Sequence, residues 1–267
     1  MRGISPLIGQ TVQQVIIRHP TLRWPIPINL VDTLPSLNLV RLNRRAKYIL
    51  ADFETAAGGF VGSLILHLGM SGRICLLAQD EPAAKHDHFD IHFESGQVLR
   101  LRDPRRFGAV LWQEGNQVCE HPLIKTLGPE PLGGVFNAEY LHQQLKSRTA
   151  PIKTAIMDSH LVVGVGNIYA SESLFRSHIN PKVPANKLSK VKCEKLVSEI
   201  KATLAQAIEA GGSSLRDFFG ADGNPGYFQQ TYFVYGRTGQ PCRVCQKPIR
   251  QIKQGQRSTF YCSHCQR

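Results

Sequence analysis

The chain has 267 residues, with 32 Lys+Arg against 20 Asp+Glu, a net charge of +12 and an isoelectric point near 9.6. That length suits two globular domains and a small module. The charge gathers polyanions, nucleic acid before acidic membrane. Neither a signal-peptide pattern nor an apolar run of the roughly 20 residues that cross a bilayer is visible, so a soluble cytoplasmic protein with no membrane partner is expected.

From Thr11 to about Trp112 the pattern predicts strands. Leu37-Asn38-Leu39 and Phe89-Asp90-Ile91-His92-Phe93 alternate with period two, and Ser95-Gly96 is a tight turn leading into Val98 to Leu101. Tyr48 to Leu50 and Leu64 to Leu66 are short apolar runs bounded by glycines, as in buried strands. After the Gly128-Pro129-Glu130-Pro131 turn the pattern becomes helical. Asn137 can cap a helix through Lys146, Pro151 fits the first turn of another to Asp158, and Ser189 can cap a long one. Cys193, Val197, Ile200, Leu204 and Ile208 form its apolar stripe, and Gly211-Gly212 would end it. The expected fold is thus α+β and multidomain. An N-terminal β-sandwich spans 1–118, a helical domain 119–227, and a small C-terminal module 228–267.

That module holds Cys242-Arg243-Val244-Cys245 and, sixteen residues on, Cys262-Ser263-His264-Cys265. Four cysteines could form two disulfides, but a C-x-x-C pair closes poorly on itself, and two pairs at this separation fit a zinc ribbon. One Zn²⁺ held by Cys242, Cys245, Cys262 and Cys265 has no open position, so its role would be structural. Between the knuckles two short strands and a turn at Gln254-Gly255 are expected, carrying Lys247, Arg250, Lys253 and Arg257 and no acid. A basic hairpin of this kind is either a solvated surface or a phosphate-directed finger.

Three further stretches carry chemistry. Gly164-Val165-Gly166-Asn167 opens onto a helix, where free N–H groups and the helix dipole favour an anion, and Lys153 lies shortly upstream. His67-Leu68-Gly69-Met70-Ser71-Gly72 ends an apolar strand in a glycine-flanked Met, and Asp103-Pro104-Arg105-Arg106-Phe107-Gly108 offers Arg and Phe two residues apart. Met70 and Phe107 could simply be core residues. Bulky apolar tips of this kind also serve as wedges in proteins that unstack duplex DNA.

Taken together these residues resemble the bacterial formamidopyrimidine-DNA glycosylases, which excise 8-oxoguanine and ring-opened purines and then cut the strand. The resemblance covers nearly the whole chain: Arg44-Arg45-Ala46-Lys47-Tyr48, HLGMSG at 67 to 72, KHDH at 85 to 88, DPRRFG at 103 to 108, LGPEPL at 127 to 132, VVGVGNIYASE at 162 to 172 and QRSTFYC at 256 to 262. It implies a helix-two-turn-helix in the helical domain and double-stranded DNA containing an oxidised purine or abasic site as partner, bound by a monomer. By the same resemblance Lys47 assists β-elimination and Arg257 assists δ-elimination. Met70, Arg105 and Phe107 fill the gap left by the flipped nucleotide. His86, Lys153 and Asn167 contact phosphates, Arg148 joins them, and residues 213 to 227 cover the everted base.

One departure concerns the start. Family members begin PELPEVE, where the proline amine attacks C1′ to form a Schiff base and the following Glu manages protons, whereas this chain begins Met1-Arg2-Gly3-Ile4 and matches about ten residues later. Two expectations follow: an ordinary bifunctional glycosylase and lyase whose natural start lies upstream, or a lesion-binding protein impaired in excision. A zinc-ribbon transcription or assembly factor is the third reading, resting on the ribbon and charge alone.

Overall fold

The computed structural model describes residues 2–210 and 232–267. The stretch read as a covering loop (213–227) and the glycines expected to end the long helix lie outside the described residues. The described residues divide into two compact units, one up to Lys125 and one from Thr126 onward.

In the first unit a 3-10 turn, Arg2–Leu7, precedes β1 (Val12–Ile17) and the one-turn helix α1 (Leu30–Thr33). Then come β2 (Asn38–Arg45), β3 (Tyr48–Glu54), β4 (Phe60–His67), β5 (Arg73–Ala78), β6 (Asp87–Phe93), β7 (Gln97–Arg102), β8 (Ala109–Glu114) and the short α2 (Pro122–Lys125). They form two antiparallel four-stranded sheets, ordered β2-β3-β4-β8 and β1-β6-β7-β5. Alternate residues of the first sheet (Phe53, Leu64, Leu66, Val110) and of the second (Val15, Phe89, Ile91, Phe93, Leu99) share one core, closed by Ile4, Leu7 and Leu30. Each fully buried aliphatic or aromatic side chain stabilises this sandwich by about 1.5–3 kcal/mol.

The structure departs from simple alternation at β6, whose seven residues are all buried. Phe89, Ile91 and Phe93 enter the core, while the intervening polar residues lie under a network of charges. Asp90 accepts from Arg18 at 2.8 Å and from Arg100 at 2.9–3.1 Å. Arg100 also donates to the Pro82 carbonyl at 3.0 Å. Asp87 accepts from Arg102 and from the Ala84 amide. Burial alone would raise the Asp87 carboxyl, but the bonds from Arg102 and Ala84 outweigh it and hold its pKa below the ordinary value.

The second unit contains α3 (Ala138–Leu145), α4 (Ile152–Ile156), α5 (Asn167–Arg176), α6 (Lys190–Glu209) and the hairpin of β9 (Arg250–Gln254) and β10 (Arg257–Tyr261). Both expected caps are present: the Asn137 side chain accepts from the Tyr140 amide and Ser189 from that of Lys192. Cys193, Val197, Ile200 and Leu204 enter the helical core, but Ile208 is 52% exposed, so the apolar stripe ends one turn early. The hairpin turn is Gly255-Gln256, both with positive φ, one residue later than the expected Gln254-Gly255. The finger shares a core with α5 through Phe175, Val234, Ile249 and Phe260. Beside that core the buried Glu172 carboxylate accepts three consecutive amides, Phe233, Val234 and Tyr235, at 2.8–3.0 Å.

Removing one member of a buried charge pair strands the other. Arg100→Ala is therefore expected to lower the unfolding free energy in urea by about 3–5 kcal/mol. Arg18→Ala removes a partially exposed partner of the same Asp90 and is expected to cost far less.

Candidate functional site

Three loops leave the β2-β3-β4-β8 sheet at one end. Arg45 pairs with Tyr48, so Ala46 and Lys47 form a two-residue turn in which Ala46 adopts φ +55°. Tyr48 pairs in turn with His67, and His67 with Ala109. Lys47 therefore lies beside the points where the 68–72 loop leaves β4 and the 103–108 loop enters β8. Burial, with Lys47 and Arg23 adding positive charge nearby, lowers the His67 pKa.

A single carboxylate organises the two longer loops. Asp103 is fully buried and accepts from the Ser71 hydroxyl (3.0 Å), the Arg105 amide (3.3 Å) and the Gly108 amide (2.7 Å). The loops also touch through their backbones. A Cβ on Gly69, at φ +60°, would lie 2.5 Å from the Phe107 carbonyl carbon, and one on Gly108 would lie 2.7 Å from the His67 oxygen. Glycine is the residue that tolerates such approach.

Clamped in this way, the tips point outward. Met70 is 53% exposed and Phe107 44%, so the core reading of both is set aside. The Arg105 guanidinium stacks 4.6 Å from the Phe107 ring centroid. His86 is half-buried and packs edge-on to His88, which hydrogen bonds the Asp103 carbonyl. Met70, Arg105, Phe107 and His86 are thus all tied to the Asp103 clamp, with Lys47 at the same end of the sheet.

A second cluster lies in the other unit. Lys153 on α4 is 1% exposed, and its ammonium donates to the Asn167 side chain (2.5 Å), the Thr259 hydroxyl (2.8 Å) and the Ser258 carbonyl (3.1 Å). Asn167, the first residue of α5, donates to the same Ser258 carbonyl. Exposed Arg257 begins β10 beside them. Lys153 and Asn167, for both of which the family resemblance implies a phosphate contact, here brace the finger strand on which Arg257 sits. Burial, and then the positive charge of Arg257, lower the Lys153 pKa to about 8.

Arg148 stands apart from this cluster. It pairs with Asp158 at 2.7 Å and, with Thr149, Ala150, Thr154 and Ala155, lines a cavity of about 380 Å³. The sequence reading passed over Asp103, Glu172 and Thr259. The one available hint was that Asp103 and Glu172 are acids inside otherwise basic or neutral motifs.

The four finger cysteines converge, their sulfurs all within 4.8 Å of one another, with Cys242–Cys265 at 3.9 Å and Cys245–Cys262 at 3.4 Å. Sulfurs about 2.3 Å from a tetrahedral zinc stand roughly 3.8 Å apart, so the donor set fits that ion. Burial and the neighbouring thiols hold the Cys265 thiol far above its ordinary pKa. A divalent cation supplies the charge that such a set of thiolates requires.

Comparison with known proteins agrees across the chain. Family models match residues 1–110 (Formamidopyrimidine-DNA glycosylase N-terminal domain), 127–219 (Formamidopyrimidine-DNA glycosylase H2TH domain) and 239–267 (Zinc finger found in FPG and IleRS). The Formamidopyrimidine-DNA glycosylase of Methylobacillus flagellatus is 64% identical over 265 residues, covering 99% of this chain and 92% of its own. That of a Janthinobacterium species is 52% identical over 269 residues, covering 100% and 96%. Among solved structures, the MutM (Fpg) protein of Thermus thermophilus superposes with a TM-score of 0.86 at 35% identity, covering 99% of this chain and 95% of that one. Lactococcus lactis Fpg bound to DNA containing N7-benzyl-Fapy-dG gives 0.89 at 32%, covering 99% and 96%.

Two outcomes are expected. A titration of Lys153 followed through its side-chain NMR signals should lose the positive charge as pH rises through about 8. Arg257→Ala removes one of the two effects that depress it and should move that midpoint upward; an unchanged midpoint would remove Arg257 from the account. Metal chelation, or Cys262→Ser, should abolish the finger's backbone NMR pattern while α3 and α6 keep theirs. A finger unaltered by chelation would contradict the metal reading.

Proposed function

The chain belongs to the formamidopyrimidine-DNA glycosylase family, and from that premise we propose how its two clusters carry out base-excision repair of oxidised purines in duplex DNA. The observation that carries the reading is the Asp103 clamp, which holds Met70 and Phe107 exposed on short, tightly tied loops beside Arg105 and Lys47. An exposed thioether and ring on such loops suit insertion into a base stack, which favours extrusion of a damaged nucleotide. Arg105, planar and aligned by Phe107, is suited to the hydrogen-bonding edge of the orphaned base.

Attack on C1′ by an N-terminal amine displaces the base, and cleavage of the C1′–O4′ bond, with O4′ taking up a proton, gives the imine; proton removal at C2′ then expels the 3′ phosphate and a second elimination expels the 5′ phosphate. Lys47 is assigned to assist the first elimination and Arg257 the second. His86 and the N-terminal turn of α5 at Asn167 are assigned to phosphates, as is Arg148 once Asp158 releases it. Lys153 contributes its charge from within, fixing Asn167 and the finger strand. One zinc ion held by Cys242, Cys245, Cys262 and Cys265 has a structural role, keeping Arg257 on a formed hairpin.

The protein is assigned to the cytoplasm as a monomer; among the described residues no helix is long and apolar enough to cross a membrane. The binding-only alternative finds no support among the relatives named above, which carry the name of the enzyme. Complexes of the Lactococcus lactis protein with abasic-site DNA and with lesion-bearing DNA support the choice of partner.

Incubated with a duplex carrying one 8-oxoguanine, the protein is expected to release that base and nick the strand at the site, and borohydride should trap the imine. A lesion duplex that is bound but left whole would restore the binding-only reading. Equal binding of lesion and intact duplexes would overturn both.

A further inference from the structure

The 103–108 loop carries a second exposed arginine, Arg106, at φ +55°, in the left-handed region that side chains rarely adopt. Its guanidinium is held by a residue 87 positions away: Arg106 Nη1 lies 2.6 Å from His19 Nε2. Arginine has only donors, so Nε2 must be the acceptor and the imidazole must be neutral. The Thr21 amide also approaches this ring, 3.2 Å from Nδ1. A neutral imidazole offers one lone pair, and the shorter, charge-assisted contact takes it.

The groups facing His19 are Arg106, the His88 ring at 5.5 Å and, beyond it, His86 at 6.4 Å from His88. Arg18, its chain neighbour, is engaged by Asp90.

We propose that His19 is a positioning residue that aims the Arg106 guanidinium at the DNA backbone by accepting from it through Nε2. This rests on the DNA-repair reading above for what Arg106 meets, but not for how it is held. Three features support it: the contact is short, its direction is set by donor chemistry, and it spans two segments already joined to the Asp103 clamp through His88. Gln is the informative substitution, because its side-chain oxygen can still accept from Arg106.

Two measurements test this. In the free protein, slowed rotation of the Arg106 guanidinium should be visible by NMR in the wild type and in His19→Gln, and lost in His19→Ala; rapid averaging in all three would overturn the anchoring whatever DNA does. For binding, a duplex with a stable abasic analogue is titrated over a salt series. His19→Ala is expected to lose severalfold in affinity and about one unit of salt slope, while His19→Gln keeps both. A His19→Gln that binds no better than His19→Ala, or a His19→Ala effect that persists undiminished with Arg106→Ala, would refute the proposal. A wild type that fails to bind the duplex would count against the repair reading, leaving the free-protein measurement to decide the anchoring.

Discussion

The first unit depends on one buried carboxylate. Asp103 lies with no exposed surface where two loops meet, and a carboxylate taken out of water is tolerated only when its oxygens find donors. A hydroxyl from one loop and two amides from its own loop provide them. Because the donors come from different segments, the bonds form together only in one arrangement of both loops. Gly69 and Gly108 then let the backbones close to distances that any Cβ would forbid. This constraint allows Met70 and Phe107 to remain outside the core despite their apolar character.

The second unit uses the same physics with both signs of charge. Glu172 gathers three successive amides at the entry to the finger, and Lys153 gathers three oxygens from α5 and β10. Both side chains are nearly fully buried and fully engaged, so each ties the finger to α5 more specifically than apolar contact alone. The cost shows in Lys153, where burial and the adjacent Arg257 work against its charge. A chain with a surplus of twelve positive charges thus commits part of its basic content to internal bracing. Arg100, buried on the face of β7 turned away from the sandwich core, is the clearest case.

Local order was legible in the sequence. Period-two runs placed the strands, Asn137 and Ser189 announced their helices, the C-x-x-C pairs announced the sulfur cluster, and the wording of several loops identified the family. These signals work because strand alternation, helix caps and metal knuckles arise among residues a few positions apart. Alternation and stripe do not decide burial by themselves: Asp87 and Asp90 of β6 are buried under arginines from other segments, and Ile208, in register with the apolar stripe, is half exposed.

What the sequence determined by itself is therefore the list of parts: two kinds of domain, a four-cysteine finger, and the side chains suited to DNA chemistry. Only the tertiary structure decided which charges are interior struts and which remain available. Ser71 meets Asp103 across 32 positions, Glu172 meets Phe233 across 61, Arg106 meets His19 across 87, and Lys153 meets Thr259 across 106. No periodicity encodes pairings at such separations. They arise because a charge leaving water must find its partner wherever the folded chain brings one.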